Sequence, residues 1–273
     1  VDLGYKQVGK DFPVFLHPET NEEYALARKE IKSGQGHRDF KFIFSPDVTI
    51  EEDLSRRDLT INAIAKDDNG RLIDPFNGQT DLKNKVFKHV SDAFYEDPLS
   101  ALRAARFKAQ MPEFQIHNST IEALKTISKT DELSCLSSER VWAEVVKSLN
   151  NNFEEFLTVI KDYGLTRPWF SGLVTIPNFI SDIPEIKWCE TAEANNFKFA
   201  QNLKIPKSFS NQLLMWQKFS EYKINEGINY KINFFRHRTG ESPFVMFHSD
   251  GAHSARIKIG DINPTLNEDA DNH

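Results

Sequence analysis

Three short segments carry residues whose types and spacing suit chemistry on phosphates. In DLSRRDLTINAIA, residues 53–65, Arg57 offers a planar fork of donors that matches phosphate oxygens. Asp58 can accept hydrogen bonds from ribose hydroxyls, and Asn62 lies four residues on, facing the same side if the segment is helical. In EDPLSALRAARF, residues 96–107, Arg103 and Arg106 are three apart and share one face of an expected helix that Glu96 and Asp97 open. Asp97 and the two arginines could then form a rigid rack facing a nucleobase edge and a triphosphate. DPFNGQTDL, residues 74–82, is dense in turn formers and reads as a hinge at Asp74, Pro75 and Gly78. Each segment also has a plainer reading. RRD can be a solvated ion pair, an acid-first helix is ordinary dipole chemistry, and DPFNG can be only a turn.

The elements that must hold these residues follow from local pattern. Residues 11–16 (DFPVFL) and 23–28 (EYALAR) alternate apolar positions at Phe12, Val14, Leu16, Tyr24 and Leu26, which predicts a hairpin across HPETN. Residues 28–42 carry two glycines and many cations without a clean period and read as a mobile basic loop. Thr49 is placed to cap a helix whose first turn holds Glu51, Glu52 and Asp53. DDNG, residues 67–70, is a hairpin turn between Ile64 and Leu72. Beyond residue 82 the chain reads as mostly helical. Pro98 suits a first helical turn, Ser119 and Glu122 suggest a capping box, and Ser137 caps a stripe of Val141, Trp142, Val145, Val146 and Leu149. Gly164 is a C-terminal cap. Residues 166–190 read as irregular, 191–237 as helical, and from Gly240 on no period survives.

Composition bounds the function. With 39% hydrophobic and 27% charged residues in 273, the chain suits a globular protein of one to three domains. The net charge of −6 requires any nucleic-acid partner to meet a local basic patch. Lys198, Lys204, Lys207 and Lys218 are candidates, although spaced lysines are equally ordinary solvated residues. Cys135 and Cys189 lie far apart, without metal-ligand spacing, and read as reduced thiols of a cytoplasmic protein. No apolar run reaches membrane-spanning length, so no membrane role is expected. Trp169, Trp188 and Trp216 read as core rather than as platforms for bases.

Taken in order, RRDLTINA, DPFNGQTDL, EDPLSALRAARF and SSERVWAE resemble the four motifs of bacterial class II tRNA nucleotidyltransferases, over roughly residues 1–165 and in wording closest to the gammaproteobacterial version. The resemblance implies an α+β fold: part of a nucleotidyltransferase (polymerase-β-like) head with a β-hairpin in residues 1–80, then an all-helical neck and body in 81–165. A helical body and tail in 166–240 and an irregular segment in 241–273 would follow. It implies addition of CMP and AMP to the tRNA 3′ end from CTP and ATP, with pyrophosphate leaving and Mg²⁺ assisting. By position, Arg57 would bind the triphosphate, Asp58 and Asn62 would hold the ribose and the local fold, and Asp97 would pair with the incoming base. Arg103 and Arg106 would bind nucleotide, Glu23 would be a third carboxylate near the metals, and Glu139 and Arg140 would brace the neck. Asp74, Pro75 and Gly78 would be the spring between head and neck.

Two departures stand out. The family's metal-binding Asp-x-Asp is not in the sequence and is expected upstream of Val1, so residues 1–273 alone are expected to be inactive. Asp269 and Asp271, in a polar tail, do not replace it. The family's arginine in ED-x-x-R is Ser100 here, which removes a charged donor from base selection unless Arg103, one turn on, compensates. The alternatives are a poly(A) polymerase of the same superfamily and a catalytically inactive RNA-binding relative. HSDGAH, residues 248–253, hints at a metal phosphohydrolase, but Ser249 separates the His from the Asp.

Overall fold

A computed structural model describes residues 4–8, 14–32, 40–44, 47–226, 230–235, 244–249 and 254–258. The chain divides into two compact units, residues 1–206 and 207–273.

The first unit opens with small antiparallel sheets. Strand β2 (Val14–Leu16) lies between β1 (Lys6–Val8) and β3 (Glu23–Tyr24), with Leu16 opposite Glu23. The expected hairpin is therefore present but shorter, joined by a partner strand that the sequence reading missed; Phe12 lies outside the described residues. β4 (Arg28–Lys32) pairs with β5 (Phe40–Phe44), so the stretch expected to be a basic loop is a hairpin. The alternating Phe40, Phe42 and Phe44 carried that signal, and the lysines and glycines around them masked it. Residues 33–39 lie outside the described residues.

Helix α1 (Ile50–Ser55) starts as expected. Thr49 Oγ1 accepts from Glu52 N at 3.2 Å while the Glu52 carboxylate accepts from Thr49 N at 3.2 Å. It stops before the RRD triplet, so Arg57 to Asn62 is not helical as supposed. Leu59 is extended and bridges His89, and Thr60–Asn62 form a single 3₁₀ turn. The DDNG turn joins β6 (Ala65–Lys66) to β7 (Leu72–Ile73) as expected. α2 (Gly78–Lys83) and β8 (Val86–Phe87) follow, and β8 runs parallel to β9 (Gln115–Ile116).

After α3 (Ala93–Glu96), the core of this unit is built on α4 (Leu99–Gln110), which packs against α6 (Ser138–Leu149) and α7 (Phe153–Asp162). Ala101, Leu102, Ala104 and Ala105 of α4 are buried, and the small alanines let its neighbours approach. Val141, Val145 and Leu149 form the buried stripe expected of α6, capped by Ser137. α7 ends at a left-handed Gly164, φ +77°, with Leu165 N donating to Ile160 O at 2.8 Å. α5 (Asn118–Ser128) departs from expectation: its cap is His117, whose Nδ1 accepts from Ser119 N at 3.2 Å. Ser119 is thus already inside the helix, and Glu122 pairs with Lys125 instead of closing a capping box.

α8 (Pro184–Ala194) begins inside the stretch expected to be irregular, because Pro184 suits a first helical turn. Trp188 is buried, and the half-buried Trp169 donates Nε1–H to Leu133 O at 2.7 Å, so both belong to the packing of this unit. The second unit holds α9 (Lys207–Glu226), in which Trp216 is buried, and an antiparallel sheet of β10 (Tyr230–Phe235), β11 (Phe244–Ser249) and β12 (Ser254–Lys258). The α+β class holds, but residues 230–258 add strands where helix and then irregular chain were expected. YKINFF and FVMFHS are runs of β-branched and aromatic residues, the composition that favours strands. Asp269, Asp271 and the end of HSDGAH lie outside the described residues.

Candidate nucleotide-binding site

Asp58 is the point where the segments meet. Leu59 N donates to its Oδ1 at 2.9 Å and Asn62 Nδ2 to the same oxygen at 3.1 Å, which folds the RRD-to-TIN stretch onto itself. Its Oδ2 accepts from Arg103 Nε of α4 at 2.7 Å. The bridge at Leu59–His89, with Thr60 N donating to Lys88 O at 2.8 Å and Val90 N to Asp58 O at 3.3 Å, brings the two segments together. A carboxylate has about four lone-pair sites, and the three hydrogen bonds made among the described residues leave room there for one further donor.

Arg103 uses only Nε in hydrogen bonding among the described residues; its two terminal nitrogens carry no hydrogen-bond partner there, and its side chain is 37% exposed. Burial alone would lower its pKa. The Asp58 carboxylate, together with Glu144 and Asp97, outweighs that and raises it. Arg103 is therefore a fixed cation with donors to offer. Arg106, on the same face, is different. It is buried, its Nε donates to Glu144 Oε2 at 2.5 Å, its Nη1 donates to Gln110 Oε1 at 2.6 Å, and its guanidinium carbon sits 3.8 Å from the Phe107 ring centroid. The structure joins it to Glu144 of α6 rather than to Asp58.

Arg57 is held from behind. Its Nη2 meets Asp53 Oδ2 at 2.9 Å while its side chain remains 46% exposed. Asp53 is buried at the end of α1 and also accepts from Arg56 Nη2 at 2.7 Å and Arg28 N at 3.2 Å. Burial alone would raise the Asp53 carboxyl, but hydrogen bonds from Arg56 and Arg57 overcome it and hold its pKa below the usual value. Asp97, between α3 and α4, accepts from Leu99 N at 3.1 Å and pairs with Arg140 Nη2 of α6 at 3.1 Å. Ser100 is buried on α4 and brings no charge to this face. Glu139 is exposed; hydrogen bonds from its own backbone N–H and from Ser137 hold its carboxyl below the usual value, with Lys204 contributing.

Asp74 accepts from Gly78 N at 2.7 Å and Gln79 N at 2.9 Å, fixing the start of α2, while Pro75 is exposed. Glu23 stands exposed on β3 and makes no hydrogen bond or ion pair with residues 57–106 among the described residues. No group of three or more His, Cys, Asp or Glu among the described residues could hold a metal ion, so these residues do not by themselves fit Mg²⁺. No helix among them is long and apolar enough to cross a membrane. Cys135 is exposed and Cys189 buried, both free thiols. Lys198, Lys204, Lys207 and Lys218 are all exposed.

Asp53, Thr60, Asp81 and Glu144 were missed at the sequence level, yet each orients a residue of the motifs. Asp53 stood four residues before Arg57, the one spacing that could have flagged it.

Comparisons with known proteins bear on the family and the fold. Residues 5–88 match the poly A polymerase head domain. The chain is 52% identical over 189 residues to the multifunctional CCA protein of Pseudoalteromonas atlantica and 53% identical over 190 residues to that of Aliivibrio salmonicida. In both cases 67% of this chain is covered, and the chain spans about half, 47%, of the length of the relative. The fold resembles a CCA-adding enzyme in its apo form II, with a TM-score of 0.62 at 22% identity over 82% of this chain and 59% of that one. It also resembles the Bacillus stearothermophilus CCA-adding enzyme in complex with CTP, with a TM-score of 0.59 at 23% identity over 78% of this chain and 54% of that one. Four motifs in order, and relatives 52% and 53% identical over 67% of this chain, lead to one assignment: the chain belongs to the bacterial tRNA nucleotidyltransferase family, in its gammaproteobacterial form.

Proposed function

We propose that this chain carries the nucleotide-reading part of an enzyme that adds CMP and AMP to the tRNA 3′ end without a template, using CTP and ATP and releasing pyrophosphate in the cytoplasm. The observation that carries the reading is the Asp58–Arg103 pair, which presents two guanidinium nitrogens that make no hydrogen bond among the described residues, beside a carboxylate that accepts three there. Arg103 and the half-exposed Arg57 hold triphosphate oxygens through charge-assisted hydrogen bonds. Asp58, steadied by Asn62, takes a ribose hydroxyl. Asp97, oriented by Arg140, faces the base edge, and Arg106 supports the nucleotide by fixing α4 on α6 through Glu144. Asp74, Pro75 and Gly78 join head to neck, and Glu139 lies on the neck. Mg²⁺ belongs to the reaction class and, when bound, would supply positive charge beside the phosphate oxygens. Glu23 is the carboxylate of this chain that we assign nearest to it. The exposed lysines, Lys198 and Lys204 among them, meet tRNA phosphates.

The test is calorimetric titration of the chain with CTP, ATP, GTP and UTP; residues 1–273 alone are expected to incorporate no labelled nucleotide into tRNA ending before CCA. Binding of CTP and ATP above GTP and UTP is expected. Equal binding of all four, or of none, overturns the reading. The match of residues 5–88 to the poly A polymerase head keeps one rival in view, and binding of ATP without CTP would select it.

A further inference from the structure

The 3₁₀ turn that carries Asn62 is gripped on two sides. On one side Thr60 N donates to Lys88 O at 2.8 Å. On the other lies α2, where the buried Thr60 donates its hydroxyl to Asp81 Oδ2 at 2.7 Å. Close approach of α2 depends on Gly78. A Cβ there would stand 2.1 Å from Thr60 O and 2.8 Å from both Thr60 C and Ile64 Cγ1, and two of these are backbone atoms that cannot yield cheaply. Asp74 clamps the same helix start through Gly78 N and Gln79 N, at 2.7 and 2.9 Å. From the gripped turn the path to the site is short: Asn62 donates to Asp58, and Asp58 accepts from Arg103.

We propose that Gly78 and Asp81 are positioning residues. They make a rigid seat for the turn Thr60–Asn62 and, through Asn62, hold the Asp58–Arg103 pair at the setting a nucleoside triphosphate requires. The proposal rests on the nucleotide reading above and deepens it. It differs from a spring at Asp74–Gly78 in a measurable way, since a seat ties the rigidity of Arg103 to the Thr60–Asp81 bond and a spring does not.

The experiment uses the full 273-residue chain and four forms: wild type, Thr60→Val, Thr60→Ser and Asp81→Ala. Thr60→Val removes the hydroxyl at nearly constant volume, and Thr60→Ser restores it. Asp81 is only half-buried, so Asp81→Ala removes the acceptor should the valine variant fold poorly. Hydrogen exchange at Arg103 Nε is followed by ¹⁵N NMR, CTP affinity by calorimetry, and Tm alongside. One lost hydrogen bond corresponds to roughly a tenfold change in an equilibrium. About tenfold faster Nε exchange and weaker CTP binding are expected for Thr60→Val and Asp81→Ala, with both returning to wild-type values in Thr60→Ser. Wild-type exchange in Thr60→Val and Asp81→Ala overturns the seat. Faster exchange that serine rescues, in a wild-type chain that binds no CTP, leaves the seat standing and overturns the nucleotide reading instead.

Discussion

Arg106 and Glu144 form a buried ion pair 38 residues apart in sequence, with Nε to Oε2 at 2.5 Å and side chains only 8% and 5% exposed. The pair fastens α4, which carries Arg103, to α6, which carries Arg140. Removing one partner leaves an uncompensated buried charge, at a cost of about 3–5 kcal/mol. Glu144→Gln is therefore expected to lower stability by about 3 kcal/mol in denaturant unfolding. A loss under about 1 kcal/mol would show that water already reaches the pair.

Asp53 gives a second prediction through its lowered pKa. A carboxyl lowered in the folded state contributes stability that is present above its unfolded value of 3.8 and is lost as pH falls through the folded value. Asp53→Asn should destabilise the chain at pH 7 by about 2 kcal/mol. The difference from wild type should shrink as pH drops below 3.8. Thermal unfolding of both proteins between pH 2 and pH 7 checks this, and a constant difference across that range would count against it.

Local signals were legible in the sequence and distant ones were not. The Thr49–Glu52 capping box, the Ser137 cap and the Gly164 stop were all readable, because each is decided within one helical turn. The end of α1 was not. It depends on Leu59 bridging His89, thirty residues away, which draws Leu59 into extended form and leaves only a 3₁₀ turn at Thr60–Asn62, where the stretch from Arg57 to Asn62 looked helical. The same limit explains the arginines of α4. Arg103 and Arg106 share a helical face and looked equivalent, but their partners separate them: Asp58 leaves two Arg103 nitrogens without a hydrogen bond among the described residues, while Glu144 of α6 and Gln110 of the same helix occupy Arg106. His117 displaced Ser119 as the α5 cap because its ring nitrogen reaches Ser119 N, a role that composition rules assign to smaller side chains.

Glu190 predicts a pH dependence of the opposite sign. Ile180 N donates to its Oε1 at 3.4 Å, whereas Oε2 is buried with no hydrogen-bond partner among the described residues. Burial pushes its pKa up to about 7, helped by Glu193 and opposed by the Ile180 N–H and by Lys187. A carboxyl raised in the folded state contributes stability that is fully present below its unfolded value of 4.5 and is lost as pH rises through about 7. Wild-type stability should thus fall between pH 5 and pH 8 by on the order of 2 kcal/mol from this group. Glu190→Gln should flatten that part of the profile. Parallel profiles for the two proteins in urea unfolding would place the titration elsewhere.

Arg57 separates binding from stability. Its guanidinium leans on Asp53 at 2.9 Å but remains 46% exposed, and exposed pairs contribute at most about 1 kcal/mol. Arg57→Ala should therefore leave the unfolding midpoint within a degree or two of wild type. Loss of a charge-assisted hydrogen bond to a phosphate costs about 1.5–3 kcal/mol, so CTP affinity should fall roughly tenfold to a hundredfold. Arg57→Lys keeps the charge without the fork and should recover only part of the loss. Because the contact is electrostatic and near solvent, the gap between wild type and Arg57→Ala should narrow as salt rises. Calorimetric titrations with CTP at low and high salt measure all three effects. Unchanged CTP affinity in Arg57→Ala would remove Arg57 from the nucleotide site and leave Arg103 as the phosphate contact.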